Sequence, residues 1–197
     1  MRSAAQSQPE TRDRILAEAE RVFRAYGYAK TTVADIAKAC AMSPANVYRF
    51  FESKTAIHEA LTAMLLKRQE DLALSIAAQR RPAAQRLKGL IVEMHRFTCE
   101  QYLNESQVHE MCLKAMDEQW GVIDAHIDRL RLLYRAVIDD GVRAGEFSDR
   151  EVEARGICVF NATMPFCHPQ LVAEKFAEDG GEQAAMMADF LVDALKK

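Results

Sequence analysis

Helix-breaking residues are scarce in this sequence, which has eight glycines and five prolines among 197 residues. Alternating runs of β-branched residues, the usual signal of half-buried strands, are also missing. Long helices can therefore form along most of the chain, and we expect an all-α fold. A chain of this length can bury a sizeable core and form one or two domains.

The sequence also lacks the features of a membrane, secreted or disulfide-stabilised protein. Its N-terminal residues contain no apolar segment typical of a signal peptide. Its most apolar stretch, residues 60–66, is far too short to span a bilayer. The cysteines are odd in number and form no C-x-x-C pair, a pattern that favours a reducing compartment: Cys40, Cys99, Cys112, Cys158 and Cys167. We therefore expect a cytoplasmic protein that contacts no membrane.

Catalytic motifs are missing as well. The sequence contains no phosphate-binding P-loop, no G-x-S-x-G nucleophile elbow and no H-E-x-x-H zinc motif. Its many carboxylates fall on helix faces that we expect to be exposed. We therefore expect a protein without enzymatic activity, cofactor or resident metal, whose function depends on binding.

Charge is distributed unevenly along the chain. Residues 1–57 carry nine Lys/Arg and six Asp/Glu residues, whereas the rest of the chain carries 17 and 23. The N-terminal segment is therefore basic and the remainder acidic. This asymmetry suits a protein that approaches nucleic acid with one end.

Apolar periodicity predicts a succession of helices. Ser148 and Glu151 have the spacing of a capping box at the start of one of them. Pro165 and Pro169 are expected to interrupt the chain after that helix. The expected helices cover about residues 10–26, 33–40, 44–51, 54–80, 83–102, 105–119, 122–143, 149–163, 171–176 and 183–196.

The segment 31–61 has the spacing of a helix-turn-helix, whose second short helix enters the DNA major groove. Ala37 is small where the two helices would cross, Ala41 is small in the turn, and Val47 supplies an apolar side chain that points back at the first helix. Ser43 and Pro44 suit the cap and the first position of the second helix. The same pattern is compatible with two short structural helices that do not bind DNA.

A longer set of residues connects this segment with a known family. Over residues 10–62, and above all in the run VYRFFESK at residues 47–54, the chain resembles the TetR family of bacterial transcriptional regulators. The resemblance implies a helix-turn-helix DNA-binding domain over residues 10–53, after a tail at residues 1–9 that we expect to be disordered. It also implies a helical effector-binding and dimerisation domain over residues 54–197.

By this resemblance, the exposed face of the second short helix reads DNA bases. Arg49 can bond guanine and Asn46 adenine, each pairing worth about 1–3 kcal/mol of discrimination. Lys54 is a cation in the first turn of the next helix, where a docked phosphate would offset its unfavourable interaction with the helix dipole. The remaining residues position the protein on the DNA backbone or complete the face. The expected DNA-binding set is Thr31, Thr32, Ser43, Pro44, Ala45, Asn46, Tyr48, Arg49 and Lys54.

The rest of the chain is expected to bind an effector and to form a homodimer. The helices near residues 152–164 and 186–195 are apolar over a wide arc, which requires a partner subunit or a larger monomer core. Methionine and aromatic side chains elsewhere suit an adaptable pocket for a largely apolar small molecule, although each also fits an ordinary core. The candidate ligand residues are Met94, His95, Thr98, Tyr102, Met111, Cys112, Met116, Trp120, Ile123, Ile127, Tyr134, Phe160 and Met164.

Two other functions are compatible with the sequence. His95 and Cys99 are four residues apart on one helix, and His109 and Cys112 are three apart, so the four could form a soft metal site of a metal- or thiol-sensing regulator. A protein-interaction module tethered to DNA is the second alternative. We favour a repressor that binds a near-palindromic double-stranded DNA operator as a dimer and is released when a small-molecule effector shifts the conformational equilibrium.

Overall fold

The computed structural model describes residues 8–102, 114–115, 121–176 and 180–196. Within these ranges the chain forms helices and no strand, so the expected all-α fold is confirmed. The predicted helix over residues 105–119 lies almost entirely outside the described residues. The helices are α1 (Gln8–Tyr26), α2 (Val33–Ala39), α3 (Pro44–Tyr48), α4 (Lys54–Ala77), α5 (Ala83–Tyr102), α6 (Gly121–Arg143), α7 (Val152–Cys167), α8 (Pro169–Lys175) and α9 (Glu182–Leu195).

The chain divides into two compact units. Unit 1 comprises residues 1–65 and 105–122 and contains α1, α2, α3 and the first half of α4. Unit 2 comprises residues 66–104 and 123–197 and contains the second half of α4 together with α5 to α9, apart from the first two residues of α6. No helix in the described part of the chain is both long and apolar enough to cross a bilayer.

The core of unit 1 forms because α1 presents an apolar stripe to the three helices that follow it. Phe23, near the end of α1, is fully buried and packs its ring at 5.5 Å from that of Tyr28. Gly27 ends the helix with a φ of 82°, a left-handed conformation that glycine adopts without strain. The other members of this core include Ile15, Leu16, Ala19, Ile36, Ala37, Val47, Phe51, Ile57 and Leu61.

The core of unit 2 is built around α5. The backbone N–H groups of Ala83 and Ala84, at the start of this helix, donate to the two carboxylate oxygens of Glu146 at 2.9 and 3.0 Å. These bonds satisfy two of the four N–H groups that a helix leaves unpaired at its start. The apolar face of α5 then packs against α7 and α9, with fully buried side chains at Leu87, Leu90, Ile91 and Met94.

Two local predictions for α7 are wrong. Glu151 precedes the helix with a φ of 49° and makes no side-chain cap, while buried Ser148 donates its N–H to the carbonyl of Leu195 at 2.8 Å.

The helix also continues through Pro165 as far as Cys167. A proline inside a helix removes the bond to the carbonyl four residues earlier. That carbonyl belongs to Asn161, an exposed residue.

Candidate nucleic-acid interface and effector site

The first helix of the helix-turn-helix starts with a complete capping box. The hydroxyl of Thr32 accepts from the N–H of Asp35 at 3.2 Å, and the N–H of Thr32 donates to the Asp35 carboxylate at 2.8 Å. The Thr32 hydroxyl also donates to that carboxylate, at 2.6 Å. These hydrogen bonds from Thr32 lower the pKa of Asp35. The start of α2 is therefore defined by its own sequence.

The turn between α2 and α3 is tight. Ala41 has a φ of 51°, in the left-handed region where a small residue is least strained. The N–H of Met42 then donates to the carbonyl of Ala37 at 2.8 Å. Ser43 caps α3 by accepting from the N–H of Asn46 at 3.2 Å, and Pro44 occupies the first turn. These contacts place α3 across α2.

The predicted base-reading residues share the outward side of α3. Val47 is completely buried and holds the helix to the core, whereas Tyr48 is 52% exposed. Asn46 is half-buried, and the remaining members of the predicted face are exposed: Ser43, Pro44, Ala45 and Arg49. The structure therefore brings these side chains together on one accessible face. Their contacts with DNA stay predictions.

The predicted phosphate contacts have different surroundings. Thr31 is 2% exposed, and its hydroxyl donates to the carbonyl of Gly27 at 2.8 Å. The ammonium group of Lys54 donates to the carbonyls of Tyr28 and Thr31 at 2.9 Å each and lies 4.3 Å from the centre of the Tyr28 ring. Lys54 therefore ties the start of α4 to the loop before α2. Thr32 is exposed, and phosphate binding by all of these residues stays a prediction.

A cleft of about 600 Å³ lies beside the end of α3. Arg12, Tyr48 and Arg49 are among the residues that line it, together with Glu52 and Glu59. The guanidinium of Arg12 lies 4.8 Å above the ring of Phe51, which holds this cation in place by a cation–π interaction. Arg12 is itself exposed, and nothing in the local sequence indicates that α1 and the end of α3 meet here.

Of the candidate ligand residues in unit 2, several lie in its interior. Met94, His95, Thr98, Tyr134 and Phe160 are all at most 3% exposed. Three others are half-buried: Ile123, Ile127 and Met164. The remaining candidates fall where the structure is not described: Met111, Cys112, Met116, Trp120 and the side chain of Tyr102.

Polar side chains cluster inside unit 2. Burial raises the pKa of Tyr134 well above its ordinary value, and a hydrogen bond with Thr163 partly offsets this effect. Thr163 in turn donates to the carbonyl of Phe160 at 2.7 Å. Thr98 donates to the carbonyls of Met94 and Cys167 at 3.0 and 3.2 Å. These bonds compensate the desolvation of the hydroxyl groups. Sequence reasoning missed Thr163, since a threonine in an apolar helix carries no functional signal.

His95 and Cys99 lie next to one another on α5. Nδ1 of His95 is 2.9 Å from the carbonyl oxygen of Phe166, and Nε2 is 3.5 Å from Sγ of Cys99. Their proposed metal-binding companions, His109 and Cys112, lie outside the described residues. Within the described ranges, no group of three or more His, Cys, Asp or Glu side chains is arranged to hold a metal ion.

A charged cluster joins α4 to α6 inside unit 2. Glu70 is 7% exposed, and its Oε1 accepts from Nδ1 of His126 at 2.9 Å and from Nε and Nη2 of Arg129 at 2.9 and 2.8 Å. Burial alone would raise the pKa of Glu70, but the hydrogen bonds and charges of Arg129 and His126 lower it overall. Burial lowers the pKa of His126, and Glu70 only partly offsets this effect.

An apolar face remains exposed on α7 and α9. Ile157 of α7 is 49% exposed, and Met186 and Phe190 of α9 are 70% and 68% exposed. Cys158 and Ala194 are also exposed on these two helices. The helices are neighbours, since α7 and α9 pack together and Arg155 reaches the carbonyl of Ala194 at 3.4 Å. Large apolar side chains grouped in this way are typical of an interaction surface.

Two protein-family models match the chain. The model described as bacterial regulatory proteins of the tetR family matches residues 15–61, which include the helix-turn-helix. The model described as the C-terminal domain of tetracyclin-repressor-like proteins matches residues 83–186, from α5 into α9. The second match alone covers more than half of the chain.

Solved structures of similar fold cover nearly the whole chain. The fatty acid degradation regulator FadR from Bacillus halodurans is 17% identical, with 95% of this chain and 97% of that one covered and a TM-score of 0.68. FadR from Bacillus subtilis, in complex with stearoyl-CoA, is 14% identical over 93% and 98%, with a TM-score of 0.66. RolR in complex with resorcinol is 15% identical over 95% and 88%, with a TM-score of 0.59. No curated protein matches the chain.

Proposed function

We propose, since the chain belongs to the TetR family of bacterial transcriptional regulators, that it is a ligand-responsive repressor acting on DNA in the cytoplasm. A homodimer would place two copies of α3 in successive major grooves of a near-palindromic operator. The observation that carries this proposal is the accessible face of α3, on which Arg49 and Tyr48 are exposed while Val47 anchors the helix.

Base reading is assigned to two side chains of this face. Arg49 follows α3 directly and is exposed, so its guanidinium can form two bonds with O6 and N7 of guanine. Asn46 lies in the same short helix and is half-buried, and its side-chain amide is of the type that forms two bonds with adenine. Tyr48, Thr32 and the stacked Arg12 would contact phosphates and set the register of the helix.

The test begins with selection of the preferred duplex from a random-sequence library by the unmodified protein. We expect Arg49→Ala to lose about 1–3 kcal/mol of discrimination at one base pair of each half-site. Fluorescence anisotropy with the selected duplex and with single-base variants measures this change. Arg21→Ala is the matched control, because it removes the same charge from a surface residue of α1 that pairs with Glu18. Equal affinity of the unmodified protein for selected and random duplexes would contradict the proposed function as a sequence-specific repressor.

A second copy of this chain is the proposed occupant of the exposed face on α7 and α9. Ile157, Met186 and Phe190 are large and apolar, and a two-fold interface brings the same patch of each subunit together. Burial of such side chains stabilises the pair through the hydrophobic effect. A two-fold dimer also matches the symmetry of a near-palindromic operator.

The interior of unit 2 is the proposed effector site. It combines Met94, Tyr134 and Phe160 with the hydroxyl of Thr98 and the imidazole of His95, a mixture that suits a largely apolar molecule with a few polar atoms. Proteins of related fold bind small molecules, stearoyl-CoA in FadR and resorcinol in RolR. Because α4 contributes residues to both units, an effector that prefers one arrangement of α4 would shift the population that fits DNA.

A further inference from the structure

The ammonium group of Lys54 makes its contacts inside unit 1. Such a group carries three N–H donors and no acceptor. It donates to the carbonyl of Tyr28 and to that of Thr31, at 2.9 Å each. Its nitrogen also lies 4.3 Å from the centre of the Tyr28 ring, a distance at which the face of an aromatic ring attracts a cation. Two carbonyl oxygens and a ring face therefore contact the charged group.

The two carbonyls belong to the first and last residues of one turn. The N–H of Thr31 donates to the carbonyl of Tyr28 at 3.3 Å, which closes the turn 28–31. The hydroxyl of Thr31 donates to the carbonyl of Gly27 at 2.8 Å. Thr32, the cap of α2, follows directly. Lys54 thus holds both ends of a turn whose exit determines where α2 begins.

Tyr28 is attached to α4 and α1 by further contacts. Its hydroxyl lies 3.3 Å from the hydroxyl of Thr55, which follows Lys54 on α4. Its ring centroid is 4.5 Å from that of His58 on α4 and 5.5 Å from that of Phe23 on α1. Tyr28 is 9% exposed, so little of it faces solvent. The turn is therefore joined to the start of α4 through both Lys54 and Tyr28.

The same contacts account for a cation at the start of α4. A positive charge in the first turn of a helix interacts unfavourably with the helix dipole, and for this reason the sequence predicts a phosphate beside Lys54. Carbonyl oxygens carry partial negative charge, and the face of an aromatic ring is negative as well. These groups offset the dipole from within the protein, so the position of Lys54 does not require a phosphate.

We propose that Lys54 is a positioning residue for DNA binding, which holds the turn 28–31 and the start of α2 and does not itself bind a phosphate. α2 packs against α3, and the N–H of Met42 donates to the carbonyl of Ala37 where they meet. A displaced α2 therefore displaces the face that carries Arg49. The effect on DNA rests on the proposed repressor function, whereas the contacts of Lys54 do not.

Acetylation of the unmodified protein tests these contacts without DNA and without a variant. N-hydroxysuccinimidyl acetate is added to the full-length protein, and peptide mass spectrometry follows the rate at each lysine. Lys30 is the matched reference, because it lies in the same turn and is exposed, whereas Lys54 is half-buried. We expect Lys54 to react at least about tenfold more slowly, since its nitrogen must first leave two carbonyls. Equal rates for the two lysines would overturn the proposal.

Salt dependence separates positioning from a phosphate contact. Fluorescence anisotropy gives the association constant for the selected duplex over a range of KCl concentrations, for the unmodified protein and for Lys54→Met. Each phosphate neutralised by a cation contributes about 0.9 to the slope of log K against log salt concentration. We expect Lys54→Met to lose about tenfold or more in affinity at each salt concentration, as two bonds from a charged group are lost, and to keep the slope.

Lys67→Met is the matched control for this measurement. Lys67 is an exposed lysine of the same helix, where it pairs with Asp71, so its loss reports the diffuse effect of one charge. A slope that falls by about 0.9 more in Lys54→Met than in Lys67→Met would reveal a phosphate contact and overturn the proposal. An affinity of Lys54→Met equal to that of the control would overturn it as well.

A double-mutant cycle tests whether Lys54 acts through Tyr28. Tyr28→Leu removes the ring that Lys54 contacts, and we expect weaker DNA binding with an unchanged slope, although Tyr28 is buried. The double variant should lose less affinity than the product of the two single losses, because both changes break the same contact. Thermal melting shows whether each variant is folded. Losses that multiply fully in folded variants would overturn the role of Tyr28.

Failure of the proposed repressor function is a separate result. An unmodified protein that does not prefer its selected duplex would count against the repressor. The acetylation rates of Lys54 and Lys30 would still decide whether Lys54 is held by the turn.

Discussion

Gly141 marks a place in α6 where the packing leaves no room for a side chain. A Cβ on this residue would lie 2.5 Å from Cε2 of Phe147 and 3.0 Å from Cβ of Ala83. Both neighbours are buried to within 1% exposure, so neither can move into solvent without cost. We expect Gly141→Ala to lower the free energy of unfolding by about 1–3 kcal/mol, measured by urea denaturation.

Gly121 provides the control on the same helix. A Cβ there meets no atom of the described residues within 4 Å, and alanine favours helix over glycine. Gly121→Ala should therefore leave the free energy of unfolding unchanged or raise it slightly. A loss in Gly121→Ala as large as that in Gly141→Ala would contradict the assignment of the Gly141→Ala effect to the contact with Phe147.

Lys54 makes contacts within the protein that are separate from its predicted contact with a phosphate. The sequence places a cation in the first turn of α4, which predicts a phosphate partner. The structure adds bonds from its ammonium group to the carbonyls of Tyr28 and Thr31. Loop carbonyls that lie 23 and 26 residues away along the chain leave no trace in local sequence. Loss of this side chain is therefore expected to loosen the loop before α2 as well as any phosphate contact.

At the scale of elements, α4 and α6 are joined by the cluster of Glu70, His126 and Arg129. Burial holds the pKa of His126 below its ordinary value of 6.5. As the pH falls through about 6.5, His126 is therefore protonated in the unfolded chain before it is protonated in the folded protein. The free energy of unfolding decreases as a result. The lowered pKa of Glu70 contributes stability that is lost only in more acidic solution, below its ordinary value of 4.5.

His126→Asn separates these effects. The asparagine amide keeps a donor for Glu70 and does not titrate, so we expect the variant to lose less stability than the unmodified protein between about pH 7.5 and 5.5. Melting temperature measured across this range by circular dichroism checks the prediction. Parallel pH profiles for the two proteins would show that His126 does not contribute to the acid sensitivity.

At the scale of the whole molecule, function depends on the proposed pairing of two chains through α7 and α9. Phe190 is 68% exposed on this face, and a carboxylate there would be desolvated on association. We expect Phe190→Glu to be monomeric at concentrations where the unmodified protein is a dimer, and to bind the selected duplex more weakly. Sedimentation velocity and fluorescence anisotropy measure the two effects.

Leu132 offers a control of matched chemistry. It is 70% exposed on α6, outside the face formed by α7 and α9, so Leu132→Glu should preserve both the dimer and the affinity for DNA. A dimeric Phe190→Glu would contradict the assigned interface. A monomeric variant with full operator affinity would contradict the need for paired subunits.

The sequence by itself determined the helical class and the form of the helix-turn-helix. Thr32, Ser43 and Pro44 act on backbone groups within three residues of themselves, and apolar spacing along α3 separates buried Val47 from exposed Arg49. Such signals can be seen in sequence because they are local. The bounds of α5 were predicted correctly for the same reason, since periodicity and a preceding proline both act over short range.

Only the tertiary structure decided the contacts between residues far apart in the chain. Glu146 caps a helix that starts 63 residues earlier, and the carbonyl of Phe166 orients His95 from 71 residues away. Neither partner carries a local signal, because the free energy of these bonds depends on burial and on the packing of whole helices. Local interactions thus defined the surface that we assign to DNA, and packing alone created the interior of unit 2.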